Sequence, residues 1–401
     1  MALKRLFFFS FLFVSLQLFA QPAAEFRGVW IATVDNIDWP SRADYDNPAR
    51  QRADYIRILD MHKKNGMNAV IVQVRPSADA FYPSSLEPWS QWLTGTQGKA
   101  PVPFYDPLQF MIDEAHKRGM EFHAWLNPYR ANFNVKTASI SPNHISKLHP
   151  EWFVTYGDKR YFEPSNKQGQ AFVVKVVQDI VSRYDVDAIH MDDYFYPYRI
   201  AGKEFPDATA YLRSGSKLSK DDWRRSNVDS IIKKLFVAIK QIKPKVKFGI
   251  SPFSVWRNSD RDPRGSATKA GQTNYDDLYA DILLWLKNGW IDYVAPQLYL
   301  EIGHDKIDYK TMLDWWAKNS YGRHVYIGHG VYRVNERAAA WKNPNELPNQ
   351  IKLLRKKENI HGSIYFSSKT FDKNPNGWND SLRNNYYRTP ATIPAMSWLE
   401  P

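Results

Sequence analysis

Cysteine is missing from all 401 residues of the chain. Its absence excludes a disulfide framework, a thiol nucleophile and a lipid-modified N-terminal cysteine, so the fold must be held by its core. Beyond the first twenty residues there is also no apolar run that approaches the roughly 20 residues of a membrane span. No Gly-rich phosphate turn follows the first strand-like segment, which argues against a doubly wound nucleotide-binding sheet. Internal repeats, low-complexity tracts and a linker that would split off a second large domain are absent too. Nor is there a recognisable nucleic-acid motif, so nucleic acid is not an expected partner.

What is present begins with a leader. Lys4 and Arg5 precede an apolar run from Leu6 to Phe19, and Ala20-Gln21 offers a small-residue cut. That is the pattern of a secretory signal peptide over residues 1–20. The mature chain is therefore expected in the periplasm or secreted, with no stable membrane anchor. Net charge is +12, and removing Lys4 and Arg5 leaves 52 basic against 42 acidic side chains, or +10. Such an excess favours an anionic partner such as an acidic glycan or a cell envelope. Fifteen Trp, 23 Tyr and 22 Phe supply flat apolar rings that stack on sugar faces as well as on bases, and export favours sugar.

A strand–helix alternation runs almost to the end. Strand-like segments are Phe26–Thr33, Ala69–Val74, Glu121–Leu126, Ala188–Met191, Lys247–Ser251, Tyr293–Gln297, Val325–Gly330 and Ser363–Phe366. Helical patterns lie between them at Pro48–Asn65, Pro107–Arg118, Gln168–Tyr184, Ser219–Ile242, Tyr275–Asn288, Tyr309–Asn319 and Asn345–Glu358. Gly66, Gly119 and Gly289 supply three of the helix stops. Eight strands separated by helices give an α/β fold, a (β/α)8 TIM barrel, over residues 25–390, with a tail at 391–401. Four connections that follow strands are long: Arg75–Asp106, Asn127–Glu163, Tyr194–Leu218 and Pro252–Asn274. All open at the C-terminal mouth, where such barrels carry their chemistry, and they bring aromatic and basic side chains that suit a polymer cleft.

The segment Tyr184–Pro197 is the most informative. Alternation puts Ala188, His190 and Asp192 on one face of a strand and Ile189, Met191 and Asp193 on the other. Adjacent carboxyl groups at a barrel mouth suit glycoside hydrolysis, which needs two carboxyl groups, or one together with a substrate N-acetyl group acting as nucleophile. In the second scheme one of Asp192 and Asp193 orients the acetamide and the other, with a raised pKa, protonates the leaving oxygen; the backbone must then bend after Asp192. In the first scheme Asp192 works with a carboxylate from elsewhere, Glu301 or Asp38. Asp193 can also serve simply as a cap or salt bridge at the rim. The substrate contacts expected around this pair are Gln73, Arg75, His123, Asn127, Tyr129, Arg130, His190, Tyr194, Trp256, Gln297 and Tyr299. His190 and His123 could join Asp192 at a metal, but the first strand offers no additional histidine pair, so neither metal nor cofactor is expected.

At these residues the chain resembles the bacterial glycosyl-hydrolase-like 10 family. The matching segments include Phe26–Thr33 (FRGVWIAT), Asn68–Pro76 (NAVIVQVRP), His123–Arg130 (HAWLNPYR), Asp187–Pro197 (DAIHMDDYFYP) and Asp292–Tyr299 (DYVAPQLY), with Ser251-Pro252 and Trp256-Arg257 between the last two. The resemblance implies a TIM-barrel glycosidase of the bacterial envelope acting on a polysaccharide, with peptidoglycan glycan strands as the implied substrate. Two other classes of answer stay open: a non-catalytic glycan-binding barrel, and a metal-dependent hydrolase.

Overall fold

Each barrel strand divides its side chains between two cores, and the computed structural model shows the division along its whole circumference. It describes residues 23–136, 139–334 and 336–400; the expected signal peptide at 1–20 lies outside the described residues. In chain order the strands are β1 (Phe26–Ile31), β2 (Ala69–Arg75), β3 (Glu121–Leu126), β4 (Arg130–Asn132), β5 (Phe153–Tyr156), β6 (Lys159–Phe162), β7 (Ala188–Asp192), β8 (Lys247–Ser251), β9 (Tyr293–Val294), β10 (His324–His329) and β11 (Gly362–Tyr365). Eight of them, β1, β2, β3 and β7 to β11, close into a barrel in which every pair is parallel. This is the expected (β/α)8 architecture. Phe26, Trp30, Ile71, Trp125, Ala188, Tyr293, Tyr326 and Ile364 point inward and form one apolar cluster. Their neighbours Val29, Ile31, Val70, Val72, Ile189, Met191, Phe248 and Ile250 point outward and pack beneath the helices. The period of two along a strand makes that partition, and burial on both sides explains why the strands are apolar nearly throughout.

The helices follow from their caps. Asn47, Asp106, Asn166, Ser219 and Asp308 each accept a backbone N–H of the first turn of Pro48–Lys64, Pro107–Lys117, Lys167–Arg183, Lys220–Ile242 and Tyr309–Lys318. Such a bond satisfies a donor that has no partner within the helix. The three expected glycine stops all adopt positive φ: 82° at Gly66, 63° at Gly119 and 66° at Gly289.

Two expected elements came out differently. The helix expected over Tyr275–Asn288 is two, Asn274–Asp277 and Ile282–Lys287. Tyr279 between them sits at φ 53°, and Asp281 caps the restart by accepting from Leu284 N. The strand expected over Tyr293–Gln297 is regular only at Tyr293–Val294, because Pro296 has no N–H for the ladder; pairing resumes at Gln297 as single bridges to Phe253 and Gly328. An antiparallel sheet of order β4-β6-β5, not expected from the sequence, occupies the long connection after β3. At the opposite end Ile393, Met396, Trp398 and Leu399 pack under the inner cluster, and Trp398 Nε1 donates to Asp292 Oδ1 at 2.9 Å.

Candidate active site

The C-terminal ends of the strands open into a cavity of about 620 Å³. Asp192, the last residue of β7, is the one carboxylate in its lining among the described residues, and Trp30, Trp125, Tyr194, Tyr198, Tyr299 and Phe366 form aromatic walls. Asp192 points inward as alternation requires. Its Oδ2 accepts from Trp125 Nε1 at 3.2 Å, and Asn127 Nδ2 donates to both oxygens, at 3.2 and 3.0 Å. Burial pushes its pKa up to about 6, while the charge of Arg130 and the bonds from Trp125, Asn127 and Tyr194 N pull the other way.

The backbone bends immediately after β7, which turns Asp193 toward the same region instead of away from it. Tyr198, a wall residue, donates its hydroxyl to Asp193 Oδ2 at 2.8 Å. Oδ1 accepts no clear hydrogen bond among the described residues, although Gln297 lies close enough to favour the charged form weakly. Burial and then the charge of Asp192 push the Asp193 pKa up to about 7. Two adjacent acids thus have opposite surroundings. Asp192 is ringed by donors that favour the anion, whereas Asp193 is poor in donors and faces a negative neighbour.

Below the cavity His190 lies fully buried on the inner face of β7. Trp30 Nε1 donates to His190 Nε2 at 3.3 Å, Ser251 Oγ lies 3.1 Å from the same nitrogen, and Tyr293 Oη is 3.0 Å from Nδ1. Burial, then the nearby His123, hold its pKa well below the ordinary range, so the ring is neutral and orients its neighbours. Tyr293 Oη reaches onward to His123 Nδ1 at 2.8 Å, and His123 Nε2 to Glu121 Oε2 at 2.9 Å. A polar thread therefore runs down the barrel axis from the cavity floor.

Of the residues expected at the site, the structure gathers Gln73, Arg130, Asp192, Tyr194, Gln297 and Tyr299 in the lining, with Asn127, His190 and Asp193 directly behind them. Five others it places elsewhere. Arg75 is fully buried against Glu87, with Nε to Oε2 at 2.8 Å, and Nη1 donates to the Asn127 carbonyl at 2.7 Å. His123 sits deep inside the barrel. Tyr129 is buried between Phe162 and Phe195, and Trp256 between Tyr275 and Trp315. Glu301 accepts from Trp341 Nε1 at 2.9 Å and does not line the cavity. Asp38 also has a structural occupation: it accepts from Ala32 N, Ser367 Oγ and Lys369 N at 2.7, 2.8 and 2.7 Å, tying the loop after β1 to the segment after β11.

Trp30, Tyr198, Tyr332, Arg333 and Phe366 were not expected at the site. Trp30 was within reach, since it shares the inward face of β1 with Phe26 near the strand's C-terminal end. Phe366, directly after β11, carries the same signal. Tyr198, Tyr332 and Arg333 lie in irregular segments where no period indicates direction.

Comparison with known proteins gives the family. Residues 25–344 match the family described as Glycosyl hydrolase-like 10. Over 387 residues the chain is 50% identical to glycosyl hydrolase YngK of Bacillus subtilis, covering 95% of this chain and 75% of that one. It is 38% identical over 405 residues to glycosyl hydrolase DigH of Escherichia coli K12, covering 95% and 88% respectively. Among solved structures, the glycoside hydrolase domain of PgaB (BpsB) from Bordetella bronchiseptica superposes with a TM-score of 0.56 at 13% identity, over 90% of this chain and 98% of that one. The catalytic domain of β-amylase from Paenibacillus polymyxa gives 0.59 at 11% identity, over 95% and 100%. At such identities these two structures speak for the fold alone. The sequence relatives and the family match carry more: the chain is an enzyme of glycosidase type and belongs to the glycosyl hydrolase-like 10 family.

Proposed function

We propose that the chain cleaves glycosidic bonds in an N-acetylated glycan of the bacterial envelope, peptidoglycan glycan strands above all, with Asp192 and Asp193 as the working pair. The observation that carries this is the contrast between two adjacent acids beside one aromatic cavity. Near neutral pH Asp192 holds the negative charge and Asp193 the proton. An N-acetyl sugar bound over Trp30 and Trp125 would place its acetamide near Asp192, which orients it and balances the charge that develops when the carbonyl oxygen attacks the anomeric carbon. Asp193 passes its proton to the leaving oxygen, then takes one from the incoming water. The two-carboxylate scheme with Glu301 has less support, since Glu301 is held by Trp341 outside the cavity. In this account residues 25–390 form the catalytic barrel and 391–401 its tail. The leader directs export to the periplasm or beyond, where the basic excess suits an anionic wall. No helix among the described residues is long and apolar enough to cross a membrane.

The test is to incubate the mature protein with purified glycan strands, with and without stem peptides, and to identify new reducing ends by mass spectrometry. Cleavage that is lost in Asp192→Asn and Asp193→Asn, with glycan binding retained, is the expected result. No cleavage of either substrate beside an active control hydrolase, with binding intact, would leave a glycan-binding barrel instead.

A further inference from the structure

Among the described residues two cations line the cavity, Arg130 and Arg333, and they are in different situations. Arg333 is engaged: Nε pairs with Glu336 Oε2 at 3.0 Å and Nη1 donates to the Tyr299 carbonyl at 2.9 Å. Arg130 forms no ion pair with any carboxylate among the described residues, although it is only 8% exposed. Among the described residues its side chain makes a single hydrogen bond, from Nε to the Pro76 carbonyl at 3.1 Å, and neither terminal nitrogen has a partner there. The Asp192 oxygens are already taken by Trp125, Asn127 and the Tyr194 N–H, so they do not use those nitrogens.

The guanidinium is also held in place. Arg130 N donates to Asn127 Oδ1 at 2.8 Å, β4 pairs it with Tyr161 of β6, and the charge lies over the rings of Phe133 and Tyr194 at 5.5 and 5.7 Å. The Asp192 charge lies within reach of the guanidinium but bonds none of its nitrogens, and a pre-positioned planar fork recognises a carboxylate through two parallel bonds. Position matters as well. A carboxylate entering beside Asp192 would be repelled unless a positive charge lay within reach of both, and Arg130 is such a charge.

We infer that Arg130 binds a carboxylate carried by the sugar next to Asp192, so that the enzyme selects an anionic glycan over a neutral one of the same length. This rests on the glycosidase reading above. A chain bearing only hydroxyl and acetamide groups would give the guanidinium's terminal nitrogens no carboxylate to bond, and a site built to bond a group rejects the ligand that lacks it.

The experiment compares three oligosaccharides of equal length. One alternates N-acetylglucosamine with N-acetylmuramic acid as free carboxylates, the second has those carboxylates converted to methylamides, and the third contains N-acetylglucosamine alone. Binding is measured by calorimetry in the Asp192→Asn background, and kcat/KM with Asp192 intact, each with and without Arg130→Gln and Arg130→Lys. The free acid is expected to bind about 10- to 100-fold tighter than the methylamide, the range of a charge-assisted bond. That preference should collapse in Arg130→Gln, the acid losing far more affinity than the methylamide, and Arg130→Lys should recover part of it. Equal affinity for acid and methylamide with Arg130 in place overturns the inference, and this comparison needs no Arg130 variant to fold. An equal loss on both ligands in Arg130→Gln also overturns it, since the residue would then act only on Asp192. Absence of turnover on all three sinks the proposed N-acetylated substrate, while the acid-to-methylamide affinity ratio still decides Arg130.

Discussion

Asn127 holds Asp192 and Arg130 at once: its Nδ2 donates to both carboxylate oxygens, at 3.2 and 3.0 Å, and its Oδ1 accepts from Arg130 N at 2.8 Å. One short side chain thus sets the spacing of an anion and a cation on the same cavity wall. Asn127→Ala removes the donor that favours ionised Asp192. Hydrogen bonds to charged groups contribute about 1.5–3 kcal/mol, so kcat should fall roughly 10- to 100-fold. The acidic limb of the pH–rate profile should move upward, because the anion loses its support. A variant with unchanged kcat and limb would show that Asn127 only packs.

Activity should be bell-shaped in pH. The proposed mechanism requires Asp192 ionised and Asp193 protonated, and burial raises their pKa values to about 6 and about 7. Turnover then declines below about pH 6 as Asp192 takes a proton and above about pH 7 as Asp193 gives one up. The two limbs belong to the pair rather than to single residues. Measuring kcat/KM from pH 4 to 9 checks this; a plateau that continues to pH 9 would contradict a protonated Asp193.

The same shifts make stability depend on pH. Both acids keep their protons in the folded chain well above the ordinary value of 3.8. Folded protein therefore binds more protons than unfolded between about pH 4 and 7, and these groups' contribution to stability is lost as pH rises through that window. Asp193→Asn, which keeps an oxygen for Tyr198 but cannot ionise, should be more stable than the parent at pH 8, by on the order of 1–3 kcal/mol. Thermal unfolding at pH 8, 6 and 4.5 should show the gap closing at the acid end. A gap that is constant across pH would trace the effect to packing.

Arg75 and Glu87, both fully buried, should behave as structure. Removing one partner leaves the other charge uncompensated in the core, at a cost of about 3–5 kcal/mol. Glu87→Gln is expected to lower the denaturation midpoint accordingly while the surviving folded enzyme keeps its KM. A raised KM at unchanged stability would return Arg75 to the list of substrate contacts.

Gly249 on β8 faces the barrel interior, where a Cβ would come within 2.0 Å of Tyr293 Cζ. Tyr293 holds both His190 and His123 through its hydroxyl. Gly249→Ala must push that ring aside, costing about 1–3 kcal/mol for overpacking and loosening the floor beneath Asp192. Denaturant unfolding together with kcat should fall in parallel; a fully stable, fully active variant would show that the ring has room to move.

Much of the site could be read from strand periodicity. Asp192, Gln73 and His190 lie on inward faces of strands, and the structure leaves them there. Asp193 was ambiguous because alternation points it outward, and only the bend after β7 returns it to Tyr198. Arg75 misleads for a related reason. It closes β2 beside a register shift between Gln73 and Arg75, and that places it against Glu87 instead of in the cavity. Tyr129, Trp256 and Glu301 lie in connections, where a side chain's direction is set by a distant partner, as Trp341 sets Glu301 from 40 residues away.

Local pattern was enough for the eight-stranded barrel, the division of each strand between an inner and an outer core, and the end at which the acids would gather. These depend on a period of two and on caps and stops within a few residues, and such forces act along the chain. Which acids, rings and cations share one cavity was decided by packing between segments far apart in sequence. The bend that turns Asp193, the small sheet that carries Arg130 and the burial that raises both carboxyl pKa values exist only once the barrel has closed.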